Sequence, residues 1–115
     1  MFEQIQNRQA KQVTTLLSNE DTASTVSNYV SLKPTPKTIQ AVITGTGTVS
    51  ATILWYGSNT DGNIVSNGAL WATTTLSGTT NDSSGITVEE EWPYMYCVLS
   101  AISGTNAQVT ATVGN

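Results

Sequence analysis

The chain has 115 residues, 38% hydrophobic and only 10% charged, with Asp+Glu 8 against Lys+Arg 4 and a formal net charge of -4. That length suits one domain, and the charged fraction is far below the roughly 25% of an ordinary soluble domain. Without histidine there is no side chain that titrates unaided near neutral pH, the single cysteine excludes an intrachain disulfide or thiolate metal cluster, and four basic residues cannot build a patch that tracks a phosphate backbone.

Met1 to Gln12 (MFEQIQNRQAKQ) is polar, lacks the apolar stretch of a signal peptide and carries no strand alternation, so it reads as an N-terminal arm preceding a single domain over 13–115. Gln12 to Ser18 is a first strand, Asn19-Glu20-Asp21 a turn, and Thr25 to Leu32 a second strand with Val26, Val30 and Leu32 on one face. Lys33-Pro34-Thr35-Pro36-Lys37 ends it, because proline fixes φ and removes a ladder donor; the two lysines sit in a connection where burial is not expected. Thr38 to Thr44 (Ile39, Ala41, Ile43 inward) and Thr48 to Tyr56 (Val49, Ala51, Ile53, Trp55 inward) flank Gly45-Thr46-Gly47, a pattern that predicts a hairpin.

A loop of turn-forming residues follows from Gly57 to Asn63, then a short strand over Asn63 to Ser66, a turn at Asn67-Gly68 and a strand over Ala69 to Leu76. Ser77 to Gly85 reads as a polar loop leading to a strand over Ile86 to Glu89. Tyr94 to Ile102 is the most apolar run and suits a central strand buried on both faces. Ser103 to Asn106 predicts a turn, and Ala107, Val109, Ala111 and Val113 close a second hairpin. About eight short strands at this spacing point to an all-β fold, an antiparallel β-sandwich of jelly-roll-like type. No run approaches the ~20 apolar residues of a membrane helix, so a membrane is not an expected partner, and with four basic residues neither is nucleic acid.

Chemistry-bearing constellations are sparse. Glu89-Glu90-Glu91 is the one charge cluster, but alternating strand residues splay carboxylates to opposite faces instead of converging them on a metal. Ser58 to Asn63 has part of a calcium-loop spacing and lacks the closing glutamate. Nothing selects a pair of carboxylates for glycoside hydrolysis, no phosphate-cradling glycine loop leads into a helix, and a serine nucleophile would lack a histidine base. Cys97, inside an apolar run, reads as a small buried hydrophobe. No catalytic residue, cofactor or metal is therefore expected. Among the aromatics, Trp55 falls on the core face. Trp71, which by alternation shares a face with Ala69 and Thr73, and Trp92, before Pro93 at a sheet edge, are candidate interface residues.

Two segments, TVSATILWYGSNTDGN (48–63) and WPYMYCVLSAISGTNAQVTATVGN (92–115), together with the connection TLSGTTNDSSGITVEEEWPY (75–94), resemble patterns in small structural proteins of tailed bacteriophages. The resemblance implies a non-enzymatic virion component of the head-decoration (cement) type. Such a protein is made in the host cytoplasm and binds the major capsid protein and copies of itself as a dimer or trimer. An arm docking on the shell would use residues 1–12, with Phe2, Ile5, Arg8 and Lys11 as contacts. The rival expectation is a tail, baseplate or fibre module that binds host-surface glycan through an exposed aromatic and Asn/Asp loops.

Overall fold

A computed structural model describes residues 13–31, 36–61, 67–89 and 92–114. They form one antiparallel sheet of six strands: β1 (Val13–Glu20), β2 (Thr25–Val26), β3 (Val30–Ser31), β4 (Lys37–Ser58), β5 (Ala69–Val88) and β6 (Tyr94–Gly114). The order is β1-β6-β4-β5, with β2 and β3 also pairing with β6. The far side of β6 is thus lined in turn by β1 against 109–114, β2 against Val98 and Leu99, and β3 against Tyr94 and Met95. The all-β antiparallel expectation holds, and among the described residues there is no α-helix.

Three strands are far longer than the alternation suggests. β4 runs 22 residues, β5 20 and β6 21. Drawn straight, 22 residues would span roughly 70 Å, yet the longest dimension of the molecule is 48 Å, so the sheet bends. The bend lies at one level across all three strands. β4 carries Gly47 at φ 77, β5 carries Thr80 at φ 70, and β6 carries Gly104 at φ 124 and Asn106 at φ 57. At that level the β4–β5 register is irregular between Thr44 and Thr48, and the β4–β6 register between Thr44 and Ser50.

The two predicted hairpins are therefore corrected. Gly45-Thr46-Gly47 and Ser103 to Asn106 are corners within continuous strands, and Ser77 to Gly85 is part of β5. Left-handed glycine and asparagine serve a corner as readily as a turn, which is why six strands stand where about eight were expected. The predicted strand over Asn63–Ser66 and the arm at 1–12 lie outside the described residues.

Alternation does assign the faces. Ile39, Ala41 and Ile43 before the corner and Val49, Ala51, Ile53 and Trp55 after it are all buried on the inner face. They join Leu16 and Leu17 of β1 and Cys97, Leu99, Val109, Ala111 and Val113 of β6 in one hydrophobic cluster that spans the bend. Each Val, Leu or Ile among them contributes about 1.5–3 kcal/mol on burial. Of the run Tyr94 to Ile102 expected to be buried on both faces, Met95 to Leu99 are buried without interruption, whereas Ser100 and Ala101 are exposed. Lys37 departs from expectation: it opens β4 opposite Val88 and is fully buried, because as a strand residue it shares the inward parity of Ile39, Ala41 and Ile43.

Candidate interaction surface

Over β4 and β6 the inner face is closed by apolar side chains, so the surface open to a partner is the outer face and the rim of the sheet, with β5 before the corner part of that rim. The register sets the outer face in cross-strand rows over β6, β4 and β5. Before the corner they are Gly114–Thr38–Thr87, Thr112–Gln40–Gly85, Thr110–Val42–Ser83 and Gln108–Thr44–Asn81. After it come Ser103–Ser50–Ser77, Ala101–Thr52–Thr75, Val98–Leu54–Thr73 and Tyr96–Tyr56–Leu70. No position in these rows is charged, and most are hydroxyl or amide side chains. Neighbouring strands place such groups about 4.8 Å apart, and Ser50 and Ser103 close that gap with a 2.8 Å hydrogen bond. A shallow groove of about 390 Å³ at the open end of this face is bordered by Val13, Gln40, Ile86, Thr87 and Thr112.

Aromatic residues gather at the other end. On the outer face Tyr56 stacks on its cross-strand partner Tyr96, with ring centroids 5.2 Å apart and planes 5° from parallel. Tyr96 is fully buried. Burial, then the facing Tyr56, raises its pKa above the ordinary 10.0, while a backbone hydrogen bond with Gly68 pulls the other way. On the inner face Trp55 is fully buried and donates its Nε1–H to Thr74 Oγ1 at 2.9 Å.

Trp71 lies beside Trp55, ring centroids 6.3 Å apart, half-buried against the core. The alternation that grouped it with Ala69 and Thr73 is broken by a β-bulge. Trp55 opposes Ala72 and Tyr56 opposes Leu70, so Trp71 is the extra residue and turns to the inner side. Its Nε1 is buried without a hydrogen-bond partner. Trp92 is also half-buried. Its indole lies where a Cβ on Gly57 would stand, 2.1 Å from Trp92 Cγ, so the glycine is what lets the ring rest on the sheet. Of the residues singled out from the sequence, Trp71 and Trp92 are thus brought to the same end of the molecule, whereas Phe2, Ile5, Arg8 and Lys11 lie outside the described residues.

Cys97 is a free thiol with no exposed surface. Burial pushes its pKa up to about 12 against a modest opposing hydrogen bond from Ser27, so it is a protonated, inert packing group. Ser27 ties β6 to the chain between β2 and β3: its N–H donates to Cys97 O at 2.8 Å and its Oγ accepts from Cys97 N at 2.9 Å. Ser58 Oγ accepts from Thr60 N at 3.1 Å, an ordinary hydroxyl turn in the part of the calcium-like loop that is described. Among the described residues no group of His, Cys, Asp or Glu is placed to hold a metal ion.

One feature of the surface was missed in the sequence. Among the described residues β5 is the sheet edge along all 20 of its residues, and Asp82 is the only charge in it. Thr73, Thr75, Ser83, Gly85 and Thr87 are exposed, as are Leu70 (53%) and Ile86 (51%). The signal was available, since edges exposed to water are ordinarily protected by lysine, proline or brevity and 69–88 has none of these. It could be recognised only once the run was known to be one strand. Searches against protein-family models and against curated proteins return no match for this chain.

Proposed function

We propose that the protein is a non-enzymatic structural module that works by lying against repeated protein surfaces, and specifically a decoration (cement) protein of a tailed-phage head. In this reading its working location is the virion, it binds the assembled major capsid shell, and it does so as a homo-oligomer. The bent sheet serves as the two layers of a β-sandwich of jelly-roll-like type.

The observation that carries this reading is the uncharged outer face: rows rich in hydroxyl and amide side chains that cross three long strands from Thr38 to Thr52 of β4, on both sides of the corner, in a chain with 10% charged residues. Such a surface meets identical neighbours without like-charge repulsion and offers many weak hydrogen bonds in place of one strong pocket. Symmetry then multiplies each weak contact, because a copy held at one point binds its next contact at high effective concentration. The resemblance of 48–63 and 75–115 to small phage structural proteins gives the same direction.

The test is to mix the purified protein with assembled shells stripped of decoration and to sediment them. Saturable co-sedimentation, with a raised disruption temperature of the shells, is the expected result; a protein that stays in the supernatant at every concentration overturns the role. Removal of residues 1–12 should lower shell occupancy. Full occupancy without them would take Phe2, Ile5, Arg8 and Lys11 out of the interface.

A further inference from the structure

The two edges of the sheet are treated very differently. The outer side of β6 is covered by β1, β2 and β3 in succession, whereas among the described residues β5 pairs with β4 alone. Which β5 peptide groups face outward follows from the hydrogen bonds at the covered edge. Ser27 N donates to Cys97 O at 2.8 Å and Ser24 N to Leu99 O at 2.7 Å, so Cys97 and Leu99 turn their peptide groups away from β4. In an antiparallel ladder a residue's N–H and C=O point to the same side and alternate along the strand. Trp55 and Ile53, opposite Cys97 and Leu99, therefore bond to β5, through Ala72 and Thr74. The intervening Thr73 and Thr75, opposite Leu54 and Thr52, are left with N–H and C=O directed out of the edge, and both residues are exposed. Ser77 follows in the same phase, but its N–H is taken by Asp82 Oδ2 at 2.9 Å.

We propose that this edge pairs antiparallel with β5 of a second copy of the chain about a two-fold axis at Thr74, so that one sheet continues through the dimer. The free groups select that register. With Thr74 facing its own counterpart, Thr73 lies opposite Thr75 of the second copy and the reverse, so all of their outward donors and acceptors are used. A register centred on Thr75 would instead set Thr73 against Ser77, whose donor is already held by Asp82.

The faces agree as well. Ala72 meets Leu76 of the second copy on the inner side, and Thr73 meets Thr75 on the outer side, a cross-strand threonine pairing of the favourable kind. The occupant is a second copy because the contact is self-complementary, and because in a chain of net charge -4 this stretch brings no charge of either copy against the other. The interface is isologous and closes at two, and Asp82 limits it at the corner. The pairing specifies the self-association assumed in the proposed role and rests on that reading only for its biological use.

Sedimentation velocity on the full chain, with backbone amide exchange on the same samples, tests it. The expected particle has twice the 12.2 kDa chain mass. Amides of Thr73 and Thr75 should gain protection as concentration rises, while that of Thr74 is protected at all concentrations. T73K/T75K and T73E/T75E, both at exposed positions, should each sediment as monomers, since like charges then stand directly opposite; an equimolar mixture should recover the dimer. A monomeric wild type, a dimer that survives in both variants, or Thr73 and Thr75 amides that exchange freely at every concentration overturns the pairing. If either variant fails to fold, the wild-type exchange data decide alone. A dimer that ignores capsid shells would keep the pairing and remove the role, and a monomer that decorates them would do the reverse.

Discussion

The corner divides the long strands into two regions built from different materials. Before it in β4, the inner face is aliphatic: Ile39, Ala41 and Ile43 lie against Val109, Ala111 and Val113. The accompanying part of β5 is exposed at nearly every position, so Ile39 is 2% exposed and its partner Ile86 51%. Beyond the corner the core is heavier, with Trp55, Met95, Cys97 and Leu99, and β5 takes part in it through Leu76, Ala72 and the bulged Trp71. A strand can thus be held by backbone pairing alone in one region and by side-chain burial in the other. The first region tolerates change on β5, whereas the second couples β5 to the core.

The largest expected effect comes from emptying the heavier region. Trp55→Ala should cost about 3–5 kcal/mol, against about 0.5–1.5 kcal/mol for Ile43→Val on the aliphatic side. Denaturant midpoints measure both. Because one cluster spans the bend, Trp55→Ala should lower the midpoint reported from both regions together. A variant in which 107–113 kept its wild-type midpoint would show that the regions unfold independently.

Alkali should probe the same region with an effect of similar order. The thiol of Cys97 ionises near 9.0 in the unfolded chain and at about 12 in the folded one. Below pH 9 both states hold the proton and the contribution is fully present. Above it the unfolded chain binds fewer protons, so stability falls as pH rises towards 12, by about 4 kcal/mol in all. The raised pKa of Tyr96 acts in the same direction from pH 10 upward. Urea midpoints between pH 8 and 11 should therefore decline, and Cys97→Ala should flatten the decline. An unchanged slope in that variant would remove Cys97 as its cause.

The contrast also explains what could be read in the sequence. Alternation marked the inner face wherever a strand has one side to bury, as at Ile39 to Ile43, Val49 to Trp55 and Ala107 to Val113. It failed on 77–85, which buries neither side and so resembles a loop; that stretch is a strand because β4 supplies its ladder partners. It failed at Trp71 because one bulged residue reverses the parity of everything beyond it. Lys37 is buried although its neighbours spell a connection. The candidate dimer edge depends on which amides point outward, a property of the register among three strands that no local pattern contains. The corners were the subtlest loss, since a hairpin turn and a bend in a continuous strand ask for the same backbone conformations.

That last ambiguity can be resolved by two small substitutions. At a hairpin tip, a methyl group added to either glycine would point into solvent and cost only the left-handed backbone strain. At a packed corner the two sites differ. Gly47 has φ 77 with nothing within 4 Å of an added Cβ, whereas at Gly104, φ 124, that carbon would stand 2.8 Å from Thr48 O and 2.9 Å from Val49 Cγ1. Gly47→Ala should therefore cost about 1 kcal/mol and Gly104→Ala about 2–3 kcal/mol, since β4 backbone cannot move aside without disturbing the core at Val49. Thermal unfolding of the two variants gives the comparison. Equal losses would mean that 103–106 stands clear of β4, and the sheet would then not be folded along the line that joins its two regions.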